Sequence, residues 1–356
     1  MNIALLHDWL NQIGGAEDVL DVLHDLFPAA PVYTSIYDRQ HMPQAWRQWD
    51  IRSSWMDRLP AIHRHHQPYM PLFALKWAGT SIPAEYDTVL SNKSAFCIGA
   101  HTAGRHICYC LTPTRFTFDF DAYAARERIP GGTAVILRGL NRMLRRWEII
   151  TSRKVNKFIA ISFEVQKRIK AYYDRDAAII YPPVRVENFV VSQRSEDFYL
   201  IVSRLLPYKR LDLAIETFNQ LGLPLVIAGT GRDHDRLQHM AGSQVKLMGW
   251  VDDATRLDLL SRCKAFVFPG LEDFGIAPIH AQACGKPVIA FAGGGALDTI
   301  NDGITGVLFD RQSVTSLSQA VMRLAGIHFI PDEIRAHAEK FSVARFNKEL
   351  LQALGC

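Results

Sequence analysis

From Tyr199 onward, short runs of Val, Ile and Phe alternate with segments of helical pattern, and that alternation leaves few folds open. The apolar runs are Tyr199 to Ser203, Leu225 to Ala228, Val245 to Met248, Ala265 to Phe268, Val288 to Phe291 and Gly306 to Phe309. Helical patterns fill the intervals at Arg210 to Leu221, Asp233 to Met240, Ala254 to Arg262, Ala277 to Cys284 and Val314 to Leu324. Strands joined by crossover helices pair in parallel, and a parallel strand covered on both faces reads as continuous apolar text. The second half is therefore predicted to be a parallel sheet packed between helices. The first half repeats the theme with strands near Ile3 to Leu6, Val32 to Ile36, Thr88 to Leu90, His106 to Tyr109, Lys157 to Ala160 and Ala178 to Ile180. Its stretch from Pro43 to Pro83, rich in Trp, His and Pro, reads as short helices or a site-lining segment rather than sheet.

The 356 residues exceed what one hydrophobic core organises, so two α/β domains are expected. Tyr181-Pro182-Pro183-Val184 marks the break, because two prolines stiffen the chain and stop any helix. Lys and Arg number 40 against 36 Asp and Glu, a net charge of +4, too slight to mark a nucleic-acid binder. The distribution is more informative. Arg138, Arg142, Arg145, Arg146, Arg153, Lys154 and Lys157 are interleaved with Leu137, Leu140, Met143, Leu144, Trp147, Ile149 and Ile150. That pattern is a basic amphipathic helix, suited to an anionic bilayer surface or, equally, to the solvated face of a core helix.

The opening residues Met1 to Asp8 lack the features of a signal peptide and read as a buried strand. No uninterrupted apolar run is long enough to span a bilayer. The six cysteines form no C-x-x-C pair and read as reduced thiols, with no metal site expected. A cytoplasmic protein follows.

The sharpest chemical signal is the run Glu272-Asp273-Phe274-Gly275-Ile276-Ala277-Pro278-Ile279-His280, continuing to Gly285-Lys286-Pro287-Val288. A strand ends at Pro269, a loop presents an acid, a glycine permits close backbone approach, and a helix begins. Backbone N–H groups at a helix start then lie at the carboxyl edge of a parallel sheet, where phosphates bind. Upstream, Ser203-Arg204-Leu205-Leu206-Pro207-Tyr208-Lys209-Arg210 follows another strand and supplies two cations. Ala228-Gly229-Thr230-Gly231 lacks the third glycine of a dinucleotide fingerprint, since His234 stands there.

Together these segments resemble the retaining glycosyltransferases of group 1, family 4 type, and especially their mannosyltransferase-like members in bacterial polysaccharide and lipopolysaccharide assembly. Matching positions are Glu272, Phe274, Gly275, Gly285, Pro287 and Val288. His280 stands where the family's second Glu contacts ribose. The resemblance implies the GT-B architecture: an α/β chain of two Rossmann-like domains facing across a cleft. It places an acceptor-binding domain at 1–182, joined by the last helix at about 340–356, and a nucleotide-sugar-binding domain at 183–339.

By the same resemblance, Arg204 and Lys209 neutralise the donor diphosphate and Glu272 holds the donor sugar. Gly229, Gly231, Trp250, Val251, Asp273, Phe274, Gly275, Ile276 and His280 line the donor. Gly229 and Gly231 allow close approach, and backbone groups at Trp250 and Val251 face the base. In the first domain, His7, Asp8, Gly14, Gly15, Asn92, Lys93, Tyr109, Thr112 and Arg115 correspond to acceptor or cleft loops. Leu111 occupies a position where the subgroup commonly carries a histidine.

The implied reaction is transfer of a hexose, mannose as first choice, from a GDP- or UDP-linked sugar to a glycan. The implied acceptor is a glycan on a polyprenyl diphosphate at the cytoplasmic membrane face. No metal and no separate cofactor are implied, because fixed cations absorb the charge of the leaving diphosphate. A catalytically impaired homologue that binds a nucleotide sugar or a partner enzyme is the alternative, prompted by Leu111 and His280. A nicotinamide dehydrogenase leaves the Glu272 loop unexplained.

Overall fold

The first strand, Ile3–His7 (β1), is buried at every position because parallel neighbours flank both of its edges. The computed structural model describes residues 1–121, 124 and 131–355, which fall into two units, 1–181 with 347–356 and 182–346. In the first unit β1 lies between Val32–Thr34 (β2) and Thr88–Lys93 (β4). Outside them are Ile51–Arg52 (β3), Arg105–Cys110 (β5), Lys157–Ala160 (β6) and Ala177–Ile179 (β7), in the order β3-β2-β1-β4-β5-β6-β7. Every pairing is parallel. The chain winds one way from β1 and the other way from β4, so the loops after these two strands part at a switch point.

β4 continues through Ser91, Asn92 and Lys93, beyond the expected end at Leu90, although all three side chains are polar and fully buried. Each finds a partner inside. His106 Nε2 and Ser91 Oγ are 3.0 Å apart, and Asn92 Nδ2 donates to the Ala16 carbonyl at 2.8 Å. Lys93 Nζ meets Glu148 Oε1 at 3.1 Å. Alternation of apolar residues does not reveal a strand whose polar positions are satisfied internally.

The stretch 43–83 holds the expected short helices at Gln44–Gln48, Trp55–Arg58, Gln67–Tyr69 and Met70–Ala78. It also contains β3, a strand the sequence did not suggest. Two residues are too few to show a period, and β3 sits at the sheet edge, where the exposed Arg52 is held by Asp50. Phe73 and Trp77 anchor the last of these helices in the core beside Phe96. Burial drives the Lys76 ammonium down to about 7 despite the carboxylates of Asp8 and Asp57.

The basic segment is the helix Gly131–Ser152. It stops before Arg153 and Lys154, and Lys157 opens β6 instead of extending the helix. Leu144 and Glu148 face inward, whereas Arg142, Met143, Arg145, Arg146 and Ile150 are exposed. Among the described residues no helix is long and apolar enough to cross a membrane. Cys97, Cys108, Cys110, Cys263 and Cys284 are free and buried; Cys356 lies outside the described residues.

The second unit has Tyr199–Val202 (β8), Leu225–Ala228 (β9), Val245–Gly249 (β10), Ala265–Phe268 (β11), Val288–Phe291 (β12) and Gly306–Phe309 (β13). Their order is β10-β9-β8-β11-β12-β13, parallel throughout. Here the direction of winding reverses between β8 and β11. The break between units falls at the Pro182-Pro183 pair, and the return falls at Asn347, inside the helix Val343–Leu354 and later than residue 340. Phe346 is fully buried and belongs with the second unit. Past it, the helix is fixed to the first unit by Lys157 Nζ, which donates to the Ala353 carbonyl at 2.9 Å, and by Arg105, which donates to the Leu354 carbonyl.

Candidate functional site

The loops after β8 and β11 leave adjacent strands at the switch point of the second sheet, and there the two sharpest sequence signals meet. Lys209 Nζ is ion-paired with Glu272 Oε1, with 14% and 19% of the two side chains exposed. Sixty-three residues separate them; only the parallel order β8-β11 brings them together. Leu205, fully buried, pins the β8 loop to the core. Burying a leucine contributes about 1.5–3 kcal/mol, enough to hold a short loop in register.

Two glycines predicted to admit a ligand instead admit the protein's own backbone. A Cβ at Gly229 would stand 1.9 Å from the Ser203 carbonyl oxygen, and one at Gly231 would stand 2.2 Å from that of Leu205. With φ at +139°, Gly229 also occupies a conformation side chains rarely adopt. Its N–H donates to the Gly249 carbonyl at 2.7 Å, lacing the ends of β8, β9 and β10 into one edge. These glycines thus set the position of Arg204, which is exposed just past the end of β8. Beyond Gly249, Trp250 is 76% exposed and Val251 half-buried.

The Glu272 loop is held from behind by residues the sequence reading missed. The N–H of Gly295 donates to the Glu272 carbonyl at 2.9 Å. Any Cβ at Gly294 or Gly295 would stand 2.1 Å from Glu272 O or 2.2 Å from Phe274 Cα. Three consecutive glycines after β12 were the visible signal. Gln312 gave none: its amide donates to the Pro269 carbonyl at 2.8 Å and its oxygen accepts from Arg210 Nη1 at 3.4 Å. It thereby ties the loop after β13 to those after β11 and β8. Arg210 itself has φ +54°, a left-handed conformation uncommon for a residue with a side chain, and such outliers gather at functional sites.

Gly275, at φ +90°, turns the chain into the helix Ile276–Ala283. Gly275, Ile276 and Ala277 sit in the first turn of this helix, where backbone N–H groups have no intrahelical acceptor, and Pro278 has no N–H. The half-buried Asp273 adjoins this turn. Phe274 behaves otherwise than expected. Its ring is buried and meets Phe341 edge-on at 5.7 Å, so it anchors the loop instead of lining a ligand.

His280 is likewise accounted for by packing. It stacks on Phe189 at 4.8 Å, and its Nδ1 lies 3.4 Å from Arg256 Nη1. Burial, reinforced by the Arg256 charge, pushes its pKa to about 3 and keeps it neutral.

In the first unit most of the predicted acceptor residues turn inward. Asp8 is buried, and its two oxygens accept the backbone N–H groups of Ser94 (2.8 Å), Ala95 (2.6 Å), Phe96 (2.7 Å) and Cys97 (2.8 Å). A carboxylate so occupied shapes the loop after β4 and has no oxygen to spare for substrate. His7 is held between Asn92 Nδ2 at 3.2 Å and Glu17 Oε1 at 3.3 Å. Because the Asn92 amide nitrogen donates to Nδ1, the imidazole proton belongs on Nε2, facing Glu17. Lys93 donates to Thr112 O at 3.2 Å and Thr114 Oγ1 at 3.3 Å. Burial opposes its charge, but Glu148 prevails and raises the ammonium above its ordinary range. Tyr109 gives its hydroxyl to the Ile180 carbonyl at 3.0 Å, and the Thr112 side chain is buried. Of the set, Gly14 and Arg115 are half-buried and Gly15 is exposed.

Residues 184–326 match the family described as glycosyl transferases, group 1. An uncharacterised glycosyltransferase of Methanocaldococcus jannaschii is 22% identical over 192 residues, 52% of this chain and 54% of that protein. The chain thus spans about half the length of this relative. Human alpha-1,3/1,6-mannosyltransferase is 25% identical over 424 residues, covering 98% of this chain and 94% of that one. Among solved structures, HepE of Anabaena in complex with UDP superposes with a TM-score of 0.73 over the full length of both chains at 17% identity. The fold is GT-B.

Proposed function

With a group 1 glycosyl transferase domain in the second unit of a GT-B chain, we propose that the protein transfers a hexose from a nucleoside diphosphate sugar to a glycan acceptor with net retention. The Lys209–Glu272 pair at the β8–β11 switch point is the observation that carries this reading. Lys209 and Arg204 receive the diphosphate, and the amides of Gly275, Ile276 and Ala277 complete its cradle. Glu272, released from Lys209 as the cation turns to phosphate, accepts hydrogen bonds from donor sugar hydroxyls. The bond from the anomeric carbon to the phosphate oxygen breaks, and the acceptor oxygen bonds that carbon from the same face. The acceptor proton passes to the departing phosphate oxygen. Fixed cations meet the charge that develops there, which is where electrostatic stabilisation acts most strongly.

GDP-mannose is the favoured donor, supported by the mannosyltransferase relative, while the UDP complex of HepE keeps UDP-sugars in play. A lipid-linked glycan at an anionic membrane surface is the favoured acceptor. Support comes from the exposed face of the Gly131–Ser152 helix. Arg142, Arg145, Arg146 and Arg153 line a surface cavity of about 400 Å³ with Ile149 and Ile150, and none of the four has a carboxylate within ion-pair distance among the described residues. Basic side chains near an anionic leaflet each contribute about 1 kcal/mol.

One assay tests the whole reading. The intact chain is given GDP- and UDP-sugars with polyprenyl-diphosphate glycan acceptors in anionic or neutral vesicles. Transfer with a retained anomer, faster on anionic vesicles at low salt, is expected. An inverted product would refute retention, and equal rates on both vesicles would refute the membrane contact.

A further inference from the structure

Lys209 and Glu272 are each other's only ion-pair partners among the described residues, and neighbouring loops fix the backbone beneath both. A Cβ at Gly270 would stand 3.0 Å from Lys209 Cα and 3.0 Å from the Lys209 carbonyl oxygen, so the loop after β11 runs directly against the turn that carries the lysine. Behind that contact, Gln312 holds the Pro269 carbonyl and the Gly295 N–H holds that of Glu272. On the other side, Lys209 N donates to the Leu206 carbonyl at 3.0 Å, and the ammonium lies 5.3 Å from the centre of the Tyr208 ring. An ion pair between mobile side chains in open solvent contributes little. This one stands on two fixed loops with both side chains largely buried.

The proposed reaction passes two anions through the site, and they differ in what they offer Glu272. A nucleoside diphosphate sugar brings phosphate oxygens for Lys209 and, beside them, sugar hydroxyls that donate to the carboxylate. The nucleoside diphosphate left after transfer brings the same oxygens with added negative charge on its terminal phosphate, and no sugar hydroxyl. The Lys209 ammonium has three N–H donors and can reach two anions at once, but its single charge cannot neutralise both. Against the sugarless diphosphate, Glu272 is a second anion held close by with nothing to accept from. Like charges repel, most strongly where water is excluded. A site discriminates through such a repulsive element as much as through its attractive contacts.

We infer that Glu272 makes the site prefer a nucleotide that carries a sugar over the nucleoside diphosphate that transfer leaves behind, because the carboxylate reclaims Lys209 whenever no sugar hydroxyl engages it. The inference rests on the transferase reading and gives the pair a second task, release of the product. Removing the carboxylate's charge then moves the two ligands differently. The nucleoside diphosphate gains an undivided cation; the sugar nucleotide gains the same cation but loses its anionic hydroxyl acceptor.

Calorimetric titration of the intact chain with GDP, UDP, GDP-mannose and UDP-glucose, in the wild type and in Glu272→Gln, tests this. The nucleoside diphosphate that the wild type binds is expected to bind the variant about tenfold more tightly, the scale of one hydrogen bond to a charged group. The matching sugar nucleotide gains less than that or binds more weakly. Glu272→Ala shows the same gain for the diphosphate, and thermal melts check that both variants fold; misfolding cannot produce tighter binding. Diphosphate affinity that is unchanged or lowered in both folded variants overturns the inference. Lys209→Ala separates it from the donor reading: loss of the sugar nucleotide in that variant, with diphosphate affinity unmoved in Glu272→Gln, leaves the donor site standing and removes the product-release role. A wild-type chain that binds none of the four nucleotides overturns both.

Discussion

Replacing Lys209 with alanine is expected to lower the turnover of the donor about a hundred- to a thousandfold, the cost of removing one preorganised group that meets developing charge. The fold should survive. Lys209 lies in a short turn after β8 whose backbone is set by Leu205 and by the close approach of Gly229 and Gly231 to Ser203 and Leu205. None of these depends on the lysine side chain. Its partner Glu272 keeps 19% of its surface exposed, so water can solvate the carboxylate left behind. Circular dichroism with a thermal melt, beside an assay of donor hydrolysis, separates the two effects. A variant that retains wild-type turnover contradicts the assignment of the leaving-group cation.

Glu148→Ala is expected to cost about 3–5 kcal/mol of stability, because it strands a buried lysine. Glu148 and Lys93 are both fully buried. The same carboxylate accepts hydrogen bonds from Thr114 Oγ1 at 2.7 Å, Thr117 Oγ1 at 2.6 Å and the Tyr173 hydroxyl at 2.6 Å. Removing it leaves the buried ammonium without its counter-charge and the Tyr173 hydroxyl without its acceptor, whereas Thr114 Oγ1 and Thr117 Oγ1 still reach the Ala95 and Thr114 carbonyls at 2.7 and 2.8 Å. Pairing the change with Lys93→Met should recover part of the loss, since the uncompensated charge then disappears while the Tyr173 hydroxyl remains unmet. The pH dependence has a definite sign. A lysine whose pKa is raised on folding contributes stability that is fully present below its unfolded value of about 10.4 and is lost as pH rises through the folded value. Urea titrations of the single and double variants measure the difference. A double variant no more stable than Glu148→Ala alone would contradict this account of the pair.

How far the sequence revealed the molecule differs between its halves. In the second unit the strands are short, apolar and covered on both faces, so β9, β11, β12 and β13 fall where their Val, Ile and Phe runs lie. The first unit hides more. β4 carries Ser91, Asn92 and Lys93 into the core because His106, Ala16 and Glu148 satisfy them from distant positions, and no local pattern encodes such partners. Lys93 and Asp8 read as ligand-facing because their loops resemble the family's cleft loops. Tertiary hydrogen bonds instead make both of them structural. Within the donor loops, Lys209, Glu272 and Gly275 carried visible motifs, whereas Gln312 and the strained Arg210 act through geometry that exists only after folding. His280 stands at the motif position of a ribose contact, and its packing against Phe189 and Arg256 could not be read from that motif.

The central claim is that the edge between β8 and β11 binds the diphosphate of a nucleotide sugar, and a crystal structure of the chain with GDP-mannose or UDP-glucose tests it most directly. Phosphate oxygens within hydrogen-bond distance of Lys209 Nζ and of the Ile276 or Ala277 amide, with Glu272 on a sugar hydroxyl, are predicted. A diphosphate bound at another edge, with Lys209 and Glu272 still paired to each other, would contradict it.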